Sequence, residues 1–175
     1  MTPVPTAAHA AAGHAPVAVV VGGGPAGLMA ADVLSAGGAD VRLYDAMRSV
    51  GRKFLLAGKG GLNLTHGEDF ERFVSRYGAR QQQLRPMLED FGPQPLRDWA
   101  ASLGIDTFVG SSGRVFPRDM KAAPLLRAWL QRLRAQGVQF HMRHRWAGWD
   151  DAVGRHLRFD TPAGGVQVRA NVVVL

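Results

Sequence analysis

The sequence predicts an α/β fold built on a parallel sheet, and three observations predict it. Residues 17–21 read Val-Ala-Val-Val-Val, a short run that is apolar throughout and stops at glycines, as buried parallel strands do. Pro25 then opens a helical stretch over 25–37, with proline suited to a first turn and Gly37-Gly38 able to end it. Residues 41–45 return as a second strand, with Val41, Leu43 and Tyr44 apolar, which closes a right-handed β-α-β unit.

Composition agrees with a globular domain. The chain has 175 residues, 46% of them hydrophobic and 20% charged, enough to bury a core without staples. It has no cysteine, which excludes disulfides, thiolate metal sites and Cys nucleophiles. No apolar run reaches the ~20 residues of a membrane span. Residues 1–16 lack the basic start and unbroken apolar middle of a secretion signal. Residues 1–15 are therefore expected to be a disordered tail, residues 16–175 the domain, and the protein cytoplasmic.

The net charge of +7 is unevenly spread: residues 1–120 hold 12 basic and 11 acidic side chains, residues 121–175 hold 9 and 3. A basic half suits nucleic acid or an anionic cofactor. The plainer reading, a solvated arginine face, is preferred.

The remaining elements follow in order. In the helix at 25–37, Leu28, Val33 and Leu34 are read as the apolar face, with Ala26, Ala30 and Ala31 keeping it slim. Residues 46–66 read as irregular, because Gly51, Gly58, Gly60 and Gly61 crowd one stretch. Helices are expected at 68–76, 81–90 and 94–103, on apolar positions such as Phe70 and Val74, Met87 and Phe91, and Leu96 and Trp99. A hairpin is expected at 107–117, around Ser111-Ser112-Gly113. The clearest helix is 121–136, where Leu125, Leu126, Trp129, Leu130 and Leu133 recur at helical spacing before Gly137. A strand at 138–142, a three-stranded antiparallel meander over 143–170 and an apolar strand at 171–175 complete the chain. A chain that stops within a buried strand is expected to be truncated.

The chemistry concentrates in Gly22-Gly23-Gly24-Pro25-Ala26-Gly27, a G-x-G-x-x-G match between strand and helix, with Asp45 ending the next strand. In such a turn Gly22 permits the bend, Gly24 admits a pyrophosphate and Gly27 lets helix and strand pack. The helix start at Pro25 and Ala26 offers free N–H groups to phosphate. Asp45 can accept from an adenosine ribose. The expected architecture is thus a Rossmann-like dinucleotide-binding domain.

Asp45 is followed by five spacers and Gly51-Arg52-Lys53, then a long excursion before the chain regains the sheet. In this the sequence resembles two-dinucleotide-binding-domain flavoproteins of the glutathione-reductase type. A narrower resemblance covers residues 17–175. The segment 51–66, Gly-Arg-Lys-Phe-Leu-Leu-Ala-Gly-Lys-Gly-Gly-Leu-Asn-Leu-Thr-His, is similar to the signature of the aminoacetone-oxidase family of FAD-binding enzymes, which includes bile-acid dehydro-reductases. Gly113-Arg114-Val115-Phe116-Pro117 matches a second family segment. The family's Arg-Cys pair is Gly61-Leu62 here and its closing Asn is His66, which marks a side branch.

That resemblance implies an FAD-binding domain of an oxidoreductase whose substrate stays open, with NAD(P)H as a candidate electron donor. It implies cofactor contacts at Gly22, Gly24, Pro25, Ala26, Gly27, Asp45, Arg52, Lys53, Asn63 and Thr65, and places Arg114 and Phe116 toward the ring or substrate. No catalytic residue is assigned. His66 reads as a cap or surface residue, Phe116 as core and Trp146 as packing. No spacing suits a metal, and no module suits nucleic acid. The alternatives are a nicotinamide-binding reductase, against which the Asp45–Gly51 spacing and the meander argue, and a non-catalytic fragment.

Overall fold

The computed structural model describes residues 15–150 and 156–175. The expectation of a tail over 1–15 falls almost wholly outside them, as does part of the turn after Asp150. The first strand, β1 (Val17–Val21), leads through a turn into α1 (Pro25–Ala36) and back to β2 (Asp40–Asp45). The helix α6 (Ala122–Ala135) feeds β6 (Gln139–Met142), and β10 (Val172–Val174) closes the set. These strands form one parallel sheet in the order β10-β1-β2-β6.

Strand alternation divides the core in two. Ala18, Val20, Val41 and Leu43 face α1 and α6, where they meet Leu28, Ala31, Leu126, Trp129 and Leu133. Val19 and Tyr44 face the other way, onto Leu157, Phe159 and Val168 of an antiparallel meander. That meander is β7 (Arg145–Trp149), β8 (His156–Thr161) and β9 (Gly164–Arg169), as expected from the sequence. Fully burying one such Leu or Phe contributes about 1.5–3 kcal/mol. Both faces of the sheet are covered, which is why β1 is apolar at every position.

Residues 46–66 correct the expectation of an irregular stretch. Gly51, at φ +69°, starts α2 (Arg52–Ala57); a short 3-10 turn, Gly58–Gly60, follows, and β3 (Thr65–His66) ends the segment. Glycine crowding hid the helix Arg-Lys-Phe-Leu-Leu-Ala, whose residues are all good or moderate helix formers. The helical excursion is α3 (Phe70–Ser75), α4 (Gln81–Asp90) and α5 (Pro93–Ser102). The hairpin is β4 (Thr107–Val109) and β5 (Arg114–Pro117), joined to β3 in a second sheet.

Two expected apolar faces are corrected. Val33 is 66% exposed, and the buried stripe of α1 is Leu28, Ala31 and Asp32 instead. In α4 no residue is buried and Met87 faces outward, while Phe91, just past the helix, lines an apolar cavity. Phe116 is half-buried on the hairpin, tilted against Phe108, and so lies at the rim of the core.

Candidate functional site

The turn between β1 and α1 is held from three sides. The Gly22 N–H donates to the Tyr44 carbonyl at 2.7 Å, and the Gly23 N–H to Asp45 Oδ2 at 2.6 Å. The Gly51 N–H donates to the Gly23 carbonyl at 2.7 Å. The loop after β2 is thereby tied to the turn, which gives the Asp45-to-Gly51 spacing a physical meaning.

Each glycine has its own reason. Gly22 sits at φ +105°, where only glycine is comfortable. Gly27 packs so closely that a Cβ would overlap the Gly22 carbonyl oxygen. Gly24 differs from both: its φ of −79° suits any residue, and a Cβ there would meet nothing within 4 Å. The space at Gly24 is open on the side where α1 begins. The Leu28 N–H bonds back to the Gly24 carbonyl at 2.9 Å, so the earlier N–H groups of Ala26 and Gly27 have no intrahelical acceptor. Positive potential and free donors at a helix start are the features that favour an anion.

Asp45 already accepts two backbone hydrogen bonds, from Gly23 and, through Oδ1, from Met47 at 2.7 Å. Each oxygen retains a second lone pair. Just after Asp45 in the chain, Ala46 and Met47 line a groove of about 470 Å³ together with Arg48, Arg52, Arg143, Arg145, Asp160 and Thr161. The chain enters this groove from β6 through Arg143, at φ +60°, whose N–H donates to the Met47 carbonyl at 2.9 Å.

At the start of α1 lies an apolar cavity of about 550 Å³. Pro25, Ala26, Lys53, Asn63, Trp99 and Trp129 are among its lining residues. The adjacent cations Arg52 and Lys53 therefore serve different hollows, Arg52 the arginine groove and Lys53 the apolar cavity. The Asn63 amide, turned so that its NH2 group faces protein carbonyls, donates to Thr65 at 2.8 Å and Val115 at 3.3 Å. Its Oδ1 remains as an acceptor.

Pairing of β3 with β5 brings the segments 51–66 and 113–117 side by side, Thr65 opposite Val115 and His66 opposite Arg114. Thr65, Arg114 and Phe116 are not among the residues lining the apolar cavity. His66 is a staple: its Nε2 lies 3.2 Å from the Ser112 carbonyl and its Nδ1 3.3 Å from Glu68. Arg76 and Arg72 also hold Glu68, and the Arg76 hydrogen bond keeps that carboxyl below its ordinary range.

Sequence reasoning missed the arginine groove and Asp32. Asp32 is 7% exposed, and its Oδ2 accepts from both Trp129 Nε1 at 3.0 Å and Trp99 Nε1 at 3.2 Å. The signal was present: Leu28, Ala31, Asp32 and Ser35 share one helical face, so the acid stands within the buried stripe. The groove had no such signal, since Arg48 and Arg143 are brought together by strand pairing alone.

Among the described residues, no group of His, Asp and Glu gathers as a metal site, and no helix is long and apolar enough to cross a membrane. The family described as "HI0933-like protein Rossmann domain" matches residues 16–175. A 3-dehydro-bile acid delta(4,6)-reductase of Clostridium scindens is 32% identical over 124 residues, covering 70% of this chain and 30% of that protein. Among solved structures, the 3-ketosteroid-delta4-(5alpha)-dehydrogenase of Rhodococcus jostii superposes with a TM-score of 0.68 at 18% identity, over 90% of this chain and 44% of that one. A flavocytochrome c3 fumarate reductase in its open conformation gives 0.67 at 21% identity, over 92% and 33%. At such identities these two structures show a shared fold. The chain spans less than half the length of each of these relatives.

Proposed function

The chain belongs to the HI0933-like Rossmann-domain family, and from that premise we propose that it is the FAD-binding part of a flavin-dependent oxidoreductase. The observation that carries the reading is the arrangement around the α1 N-terminus. The open cradle at Gly24 is followed by Pro25 and Ala26, which line the apolar cavity, while Asp45 is bonded to the same turn and followed by Ala46 and Met47, which line the arginine groove. A dinucleotide with one sugar-adenine end and one flat apolar end has that shape.

In this reading Gly22, Gly24, Pro25, Ala26 and Gly27 receive the pyrophosphate, through the backbone N–H groups of Ala26 and Gly27. Asp45 takes the adenosine ribose on its free lone pairs, and Arg52 adds positive charge at that end. Lys53 and the Asn63 acceptor face the ring in the cavity, and Thr65 holds Asn63 in place through its carbonyl. When bound, the flavin supplies the hydride and electron chemistry; the protein positions it and excludes water. The resemblance to the aminoacetone-oxidase family, and the similarity to a bile acid reductase over 124 residues, support a small organic substrate. NAD(P)H is the candidate reductant.

The test is the cofactor itself. The purified protein is expected to bind FAD in preference to FMN, since FMN has no adenosine for Asp45. Tighter binding of NADH than of FAD, measured by calorimetry, would overturn the reading.

A further inference from the structure

The buried carboxylate of Asp32 does more than fill a helix face. It lies two helical turns after Pro25 on α1, the same helix whose start forms the pyrophosphate cradle. Its Oδ2 accepts from the indole N–H groups of Trp129 at 3.0 Å and Trp99 at 3.2 Å. Arg132 NH1 stands 3.8 Å from the same oxygen, and Arg132 NH2 is anchored on Ser102 Oγ at 2.6 Å. One acid thus ties α1, α5 and α6 together.

The two indoles cross edge to face, with centroids 4.7 Å apart and planes at 79°, and Phe54 meets Trp129 edge-on at 6.4 Å. Both indoles line the apolar cavity beside Lys53 and Asn63. A buried indole N–H seeks an acceptor, and the described structure offers one oxygen to both. Without it, each ring would rotate toward another acceptor, and the edge-to-face wall they form would be lost. Side chains that shape a site keep their geometry when a further layer of hydrogen bonds locks their rotamers.

We propose that Asp32 is a positioning residue: it sets the Trp99–Trp129 wall, and with it the ability of the cavity to accept a flat aromatic ring next to a pyrophosphate bound at the start of α1. The proposal rests on the reading that the cavity takes the ring of FAD.

The experiment compares FAD with ADP, which fills only the adenosine and pyrophosphate half, on the same protein by calorimetry. With Asp32→Leu, the expected result is ADP affinity within about twofold of the unsubstituted protein and FAD affinity lower by about tenfold or more. Asp32→Asn retains an acceptor oxygen and is expected to restore FAD affinity to within about threefold. Near-ultraviolet circular dichroism should lose its indole signal with Asp32→Leu and regain it with Asp32→Asn. If Asp32→Leu does not fold, Trp99→Phe removes one donor while keeping an aromatic ring, and the same selective loss of FAD is expected. Parallel loss of ADP and FAD, or no loss of either, overturns the positioning role. An unsubstituted protein that binds ADP as tightly as FAD overturns the ring reading itself, which separates that failure from one confined to Asp32.

Discussion

The Gly23 N–H donates to Asp45 Oδ2 at 2.6 Å, so the acid that ends β2 is built into the glycine turn. A carboxylate accepting two backbone N–H groups fixes the turn before any ligand arrives. Preorganisation of this kind lowers the ordering cost of binding.

Replacing that acid should therefore affect stability and binding together. Asp45→Ala leaves the Gly23 and Met47 donors without their partner and is expected to cost about 2 kcal/mol in a urea melt. FAD affinity should fall by more than about tenfold. An unchanged melt would mean that water replaces the carboxylate at no cost.

Gly24 and Gly27 should separate binding from folding. Gly24→Val projects into open space at a φ of −79° that valine accepts. It should melt nearly as the unsubstituted protein does, yet lose FAD binding by about a hundredfold or more. Gly27→Val drives a side chain into the Gly22 carbonyl and should lose about 3 kcal/mol of stability as well. Thermal melts and FAD titrations of the two variants, run side by side, distinguish these outcomes.

Arg52 and Lys53 are adjacent in sequence but face different hollows. Arg52→Ala is expected to weaken ADP and FAD equally, by about three- to tenfold. Lys53→Ala should leave ADP binding unchanged and weaken FAD alone. Equal effects of both substitutions on both ligands would contradict the two-hollow arrangement.

The stack of Tyr44 between His141 and Phe159, each at 4.4 Å, carries a pH dependence. Burial, with His144 and Arg42 nearby, lowers the His141 pKa from 6.5. The unfolded chain then binds more protons than the folded one as pH falls below 6.5, so His141 contributes stability above that pH that is lost on acidification. Its Nε2 is buried without a hydrogen-bond partner. His141→Phe keeps the stacking and removes the titration. Melts from pH 7.5 to 5 should show a smaller acid loss in the variant; identical slopes would assign the acid loss to other groups.

The sequence alone determined the sheet-and-helix scaffold and the glycine turn, because those features are local. A five-residue apolar run rich in valine and stopped by glycines reads as a strand covered on both faces. G-x-G-x-x-G after it needs no distant partner to be recognised. The backbone demands on Gly22 and Gly27 were legible too: Gly22 holds a positive φ and Gly27 leaves no room for a Cβ. Only the tertiary structure decided what surrounds that turn. Arg52 and Lys53 read as one basic pair, but consecutive side chains on a helix point about 100° apart, and in the fold Arg52 lines the arginine groove while Lys53 lines the apolar cavity. Asp32 drew no attention in the sequence, because the two indoles that bond it lie 67 and 97 residues away. Thr65 and Arg114 belong to segments that the β3–β5 pairing brings side by side, a neighbourhood that residues some fifty positions apart could not reveal by themselves. Local backbone preference is written within a few residues of itself, whereas the direction of a side chain and the identity of its neighbours depend on contacts that span the chain.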